Sequence, residues 1–84
     1  MKIEKPTVVV YHQPDCPPCH VAMEYLAKKG VPFVAKDVRV DGEAMRELVE
    51  DLDSRSTPTI VVGGKVMVGF EKAKLDAMLA EAGF

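Results

Sequence analysis

Two cysteines, Cys16 and Cys19, lie in the stretch D-C-P-P-C-H from Asp15 to His20, and the chain has no others. A pair at this spacing has four chemical uses. It can staple a loop, supply half a metal site, attach a haem through C-x-x-C-H, or cycle between dithiol and disulfide. A staple across two residues removes little entropy from the unfolded chain, so it does little for stability. A structural zinc site draws a second ligand pair from a distant segment, and beyond this stretch only His12 adds a soft ligand. A haem protein of the C-x-x-C-H type calls for an export route and a largely helical shell. Redox cycling asks instead for a thiolate-stabilising position and a partner thiol within reach.

The elements around the pair supply both. Thr7 to Tyr11 is a β-branched run that reads as a buried strand, followed by a helix from Cys16 to Lys29 with Val21, Ala22, Tyr25 and Leu26 at helical spacing. Gly30 suits the position just past its end. A second strand follows Pro32, about 33 to 38. Asp41 caps a helix from Gly42 to Leu52 with an apolar stripe of Met45, Leu48, Val49 and Leu52. After a polar loop, Thr59 to Val62 and Lys65 to Val68 form a hairpin around Gly63-Gly64. The last helix runs from Glu71 to Ala82, with Leu75, Met78, Leu79 and Ala82 on one side. The expected fold is therefore α/β, in the order β-α-β-α-β-β-α. A right-handed crossover joins the first two strands in parallel, and helices flank a four-stranded mixed sheet. Residues 1–84 form one domain in this reading.

This arrangement places Cys16 at a helix cap, Pro17 and Pro18 in the first turn and Cys19 on the same face. Residues at that spacing have Cβ atoms about 5–6 Å apart, close enough for a disulfide after small adjustments. A helix N-terminus stabilises a thiolate through its dipole and its unpaired N–H groups. Pro18 has no N–H, so only the Cys19 amide is well placed to donate to Cys16. The double proline stiffens the loop and costs Cys16 one donor. Cys16, at the tip, should be exposed and attack, while Cys19, one turn in, is more buried and resolves. Asp15 opposes a thiolate by charge and His20 favours it when protonated, but both are expected to be solvated. His12 is expected to be a strand-end residue without a role.

Composition narrows the partners. Thirteen acids against eleven bases give a net charge of −2, which argues against nucleic acid or an anionic membrane surface. No apolar run is long enough to span a bilayer, and Met1 to Pro6 has no apolar h-region. A cytoplasmic protein is expected, and in that compartment a cysteine pair is more often catalytic or metal-binding than structural.

A C-x-x-C beside a β-α-β pattern suggests a thioredoxin-like redox module. Three stretches sharpen this. Y-H-Q-P-D-C-P-P-C-H resembles the active-site segment of glutaredoxins, S-R-S-T-P-T-I-V-V-G (Ser54 to Gly63) the segment around that family's cis-proline, and V-M-V-G-F-E-K (Val66 to Lys72) the turn before its last helix. The match covers about residues 7–82 in the right order. It implies a thioredoxin fold, with Cys16 as nucleophile, Cys19 as resolving thiol and Pro58 as the cis-proline packed against them. It also implies that the Thr57 backbone pairs with a bound disulfide substrate or with glutathione. Gln13, Arg55, Gly69 and Phe70 complete the implied substrate-binding surface. Gly69 would let a substrate backbone approach. Phe70 is either an apolar platform for a protein partner or a core residue closing the last helix.

The chain departs from glutathione-using members at several points. Gln13 stands where they carry Lys or Arg, Pro18 where they have an aromatic residue, and Phe70 and Lys72 where they have a second Gly and an acid. Arg55 keeps a basic position before the cis-proline. The Gly69-Phe70 pair is similar to that of glutaredoxin-like redoxins recycled by thioredoxin reductase, including those serving ribonucleotide reductase. Met67-Val68 replaces the Trp-Ser those proteins often show, and the buried acid that thioredoxins place near the second cysteine is not evident. The chain thus falls between the two subfamilies. The resemblance implies a dithiol–disulfide oxidoreductase with no bound cofactor and no metal, acting as a monomer on disulfide-containing protein or small-molecule substrates. Glutathione or a thioredoxin-reductase-type enzyme would reduce it. The alternative is carriage of a metal or iron–sulfur cluster.

Overall fold

A computed structural model describes residues 7–84; the expectation that Met1 to Pro6 is no export signal falls outside them. The elements are β1 (Val8–His12), α1 (Pro17–Lys28), β2 (Val34–Asp37), α2 (Gly42–Arg46), β3 (Thr59–Val62), β4 (Lys65–Val68) and α3 (Lys72–Glu81). The order is the expected β-α-β-α-β-β-α. The strands lie in the order β2-β1-β3-β4. β1 runs parallel to β2, with Val10 opposite Ala35, and antiparallel to β3, with Val10 opposite Ile60. β3 and β4 form the hairpin, with Ile60 opposite Met67.

Alternation along the strands sorts side chains between two cores. Val8, Val10, Ile60, Val62 and Met67 point to one face, where they meet Ala22 and Leu26 of α1 and Leu75, Met78 and Leu79 of α3. Tyr11 points to the other face with Val38, Ala44 and Leu48. Both faces of β1 are thereby covered, which explains its unbroken apolar run.

The local signals work as the sequence predicts at most boundaries. Gly30, at φ +73°, follows α1; its N–H bonds to the Ala27 carbonyl and that of Val31 to the Leu26 carbonyl. This is a Schellman ending, and Val31 and Leu26 share the core beside it. The Asp41 carboxylate accepts from the Glu43 and Ala44 amides, both at 3.1 Å. Gly63 and Gly64 both have positive φ, as a two-residue hairpin turn requires.

Two stripes differ from expectation. Val21 is 55% exposed, because Cys19, Ala22 and Leu26 define the inward face of α1 and Val21 lies to its side. Met45 is 40% exposed, because Ala44 of α2 and Leu48 of the turn that follows it, four residues apart, take the inward side. The expected helix to Leu52 also changes character. After Arg46 it widens into a π-helical turn, Glu47–Asp51, in which the Leu52 N–H reaches the Glu47 carbonyl at 3.0 Å.

Two side-chain clusters tie helices to their neighbours. The Tyr11 hydroxyl and the Lys36 ammonium both donate to Glu47 Oε1 at 2.9 Å. Desolvation, then the Glu47 hydrogen bond, push the Tyr11 phenol up to about 12. On the other face Tyr25 donates to Asp76, joining α1 to α3, with Lys29 and Lys72 both over the Tyr25 ring. Among the described residues, no helix is long and apolar enough to cross a membrane.

Candidate functional site

The site forms where β1 ends, α1 begins and the loop before β3 passes. Cys16 is the N-cap of α1, in extended backbone, with Pro17 and Pro18 as the first helical residues. Cys16 and Cys19 are joined as a disulfide across a Cα separation of 5.2 Å. The Cys19 amide donates to Cys16 Sγ at 3.2 Å. It is the one cap hydrogen bond to the sulfur, as expected when Pro18 removes the neighbouring donor.

Cys19 is fully buried, as expected of the inner cysteine, but Cys16 is only 8% exposed rather than open at the helix tip. Its sulfur is bonded to Cys19 on one side and receives the Thr57 hydroxyl on the other, at 3.6 Å. The Thr57–Pro58 peptide is cis, and Pro58 is buried.

Sequence reasoning gave Thr57 a backbone role and missed its side chain. The Thr57 hydroxyl also accepts from Gln13 Nε2 at 3.4 Å, so a polar chain runs from Gln13 through Thr57 to Cys16. A Gln and a Thr flanking a C-x-x-C and a T-P were the available signal, but only the fold brings them together. The loop before Pro58 rests on a second missed feature. Ser54 and Thr59 are buried with their hydroxyls 2.9 Å apart, and the Thr59 hydroxyl donates to the Ser56 carbonyl at 2.7 Å.

Gly69 closes the far side. Its N–H donates to the Pro58 carbonyl at 2.7 Å, and its φ is +87°. A Cβ built there meets nothing within 4 Å, so the space beside it is open. Phe70 makes the contacts of a core residue: it is half-buried, packs against the core and lies 5.6 Å from the Tyr25 ring. Lys72 is 3.9 Å from Asp76 in the same cluster. Arg55 is exposed in the loop before Thr57.

Asp15 and His20 are both exposed, as expected, and each has a surface partner. Asp15 pairs with Arg39, from the loop after β2, at 3.0 Å. The His20 ring sits 3.0 Å from the Pro14 carbonyl. His12 is half-buried, with Nδ1 buried and unpartnered. Among the described residues no three His, Cys, Asp or Glu side chains group as a metal site.

Comparison with known proteins gives this geometry a context. Residues 8–67 match the glutaredoxin family. An uncharacterized glutaredoxin-like 8.6 kDa protein in the rubredoxin operon of Clostridium pasteurianum is 32% identical over 72 residues, covering 86% of this chain and 96% of that protein. The crystal structure of a thioredoxin-like protein superimposes with a TM-score of 0.83 at 43% identity, covering 86% of this chain and 99% of the other. A glutaredoxin from Archaeoglobus fulgidus does so with a TM-score of 0.74 at 28% identity, covering 88% and 86%. The thioredoxin fold expected from the sequence is thus the observed one.

Proposed function

The chain belongs to the glutaredoxin family, and on that premise we propose that it is a dithiol–disulfide oxidoreductase acting on protein or small-molecule disulfides through Cys16 and Cys19. The observation that carries this reading is the Cys16–Cys19 disulfide at a helix N-terminus, with the Cys19 amide donating to Cys16 Sγ. A donor aimed at the sulfur favours the thiolate, which is the reactive form.

In the reduced protein the Cys16 thiolate attacks one sulfur of a substrate disulfide. A mixed disulfide forms and the other substrate sulfur leaves as a thiolate, which takes up a proton. Cys19, deprotonated, then attacks Cys16 Sγ and releases the second substrate thiol. The substrate gains two electrons and two protons, and the protein is left as the Cys16–Cys19 disulfide. Thr57, Pro58 and the open space beside Gly69 form the surface on which the substrate disulfide lies, with Gln13, Arg55 and Phe70 around it. The setting is cytoplasmic, the working form a monomer with no bound cofactor, and the reductant glutathione or a thioredoxin-reductase-type enzyme. Gln13 and Lys72, which stand where glutathione-using members carry a cation and an acid, favour the enzyme.

The test is recycling of the oxidised protein. NADPH consumption is followed with thioredoxin reductase in one cuvette and with glutathione plus glutathione reductase in another. Turnover in either supports the reading, and the faster cuvette identifies the reductant. A Cys19→Ser variant should accumulate a mixed disulfide at Cys16, visible by mass spectrometry. Absence of turnover in both cuvettes together with no trapped adduct overturns it.

A further inference from the structure

The polar chain from Gln13 to Cys16 has a direction fixed by its chemistry. A carboxamide NH2 is a donor only, whereas a hydroxyl has one proton and two lone pairs. Gln13 Nε2 donates to Thr57 Oγ1 at 3.4 Å, which occupies a lone pair of that oxygen. The hydroxyl proton is then left for Cys16 Sγ, 3.6 Å away. The sulfur thus receives two donors, the Cys19 amide from its own helix and the Thr57 hydroxyl from the loop across the site.

We propose that Gln13 is a positioning residue for the nucleophile: its carboxamide holds the Thr57 hydroxyl with the proton toward Cys16 Sγ and so stabilises the Cys16 thiolate. This rests on the redox reading of Cys16. It gives Gln13 a job of its own at a position that has lost the cation of glutathione-using members. Orientation is the point of the device. A free threonine hydroxyl rotates and can present a lone pair to the sulfur, which opposes the thiolate; one already accepting from Gln13 presents its proton, which favours it.

The charged and titratable groups around the sulfur do not supply this effect. On the helix side Asp15 is paired with Arg39 from the loop after β2, and His20 faces the Pro14 carbonyl. On β1, His12 precedes Gln13, and in the loop across the site Arg55 precedes Ser56 and Thr57. All of these residues are kept in every variant compared below.

The experiment is a double-mutant cycle read by the pH dependence of Cys16 alkylation with iodoacetamide in the reduced protein, in a Cys19→Ser background so that one thiol reports. The variants are Gln13→Met, Thr57→Val, both together, and Thr57→Ser as the conservative control. Loss of one hydrogen bond to the thiolate should move the midpoint upward by about half to one pH unit in Thr57→Val. Gln13→Met should move it upward by a smaller amount, the double variant should match Thr57→Val, and Thr57→Ser should keep the parent midpoint. Thermal unfolding of each variant separates a packing defect from a thiolate effect, because a packing role would lower the melting temperature and leave the midpoint in place. An unmoved midpoint in Gln13→Met overturns the proposal, as does a Gln13 effect that persists at full size without the Thr57 hydroxyl. Alkylation needs neither a substrate disulfide nor a reductase, so this outcome is independent of the recycling assay.

Discussion

The Gly69 N–H donates to the Pro58 carbonyl at 2.7 Å, tying the end of β4 to the loop that faces the disulfide. Gly69 makes this bond at φ +87°, in the region that penalises a side chain. Because a Cβ there meets nothing within 4 Å, the penalty is in the backbone and not in packing. Gly69→Ala should lower stability by about 1–2 kcal/mol, and Gly69→Val by more, since β-branching narrows the accessible backbone further. Urea unfolding monitored by circular dichroism measures both. A Gly69→Ala protein as stable as the parent would contradict this account.

Pro18 leaves Cys16 with one cap donor, the Cys19 amide at 3.2 Å. Replacing it with a residue that has an N–H restores a second donor at the helix tip. Pro18→His or Pro18→Tyr should shift the Cys16 alkylation midpoint downward by about half to one pH unit, the scale of the net worth of one hydrogen bond. A midpoint that stays or rises would show that the missing donor is not what limits the thiolate.

The loop before Pro58 hangs on the buried pair Ser54 and Thr59. Thr59→Val keeps the shape but deprives the Ser54 hydroxyl of its nearest partner and leaves the Ser56 carbonyl only the longer bond from the Ser54 hydroxyl, at 3.4 Å. The expected loss is about 1–3 kcal/mol, the scale of two hydrogen bonds broken in a buried loop. Adding Ser54→Ala should cost less than it does in the parent, because the 2.9 Å contact between the two hydroxyls is already gone. Denaturant midpoints for the two single variants and the double variant provide the check; strictly additive losses would mean the hydroxyls act independently.

The fold was legible because its punctuation is local. The Asp41 cap, the Gly30 helix ending and the Gly63-Gly64 turn each act within a few residues, and each marks its boundary in the sequence. The cysteine geometry was legible for the same reason, since Cys16 and Cys19 are a single helical turn apart. What the sequence hid lies between segments. Arg39 reaches Asp15, Gln13 reaches Thr57, and Tyr25 joins Asp76, and no periodicity reports those distances. The exposure of Val21 and Met45 was hidden too, because an apolar residue at the margin of a helical stripe looks like one at its centre until the packing partner is known.

The two tyrosines make alkaline pH a probe of both helix clamps. Burial and then the Glu47 hydrogen bond raise the Tyr11 phenol to about 12, and the Asp76 hydrogen bond first, then burial, raise that of Tyr25. A phenol whose ionisation is raised by folding stabilises the folded state while it stays neutral. That contribution is complete below the unfolded value near 10 and is lost as pH climbs through the folded value. For Tyr11 the loss therefore falls between about pH 10 and 12. The carboxylate partners act at the opposite end. Hydrogen bonds from Lys36 and then Tyr11 hold Glu47 below the ordinary carboxylate range, and the one from Tyr25 does so for Asp76, so their contribution is present at neutral pH and disappears as acid protonates them. Tyrosinate absorbance should show the parent ionising above pH 10, with the Tyr11→Phe variant losing the transition near 12 and keeping that of Tyr25. The denaturant midpoint of Tyr11→Phe should also fall less than that of the parent between pH 10 and 12. Tyrosine ionisation at the ordinary value in the folded protein, with no change on Tyr11→Phe, would show that the Tyr11–Glu47–Lys36 contact does not hold β1 to the helix beneath it.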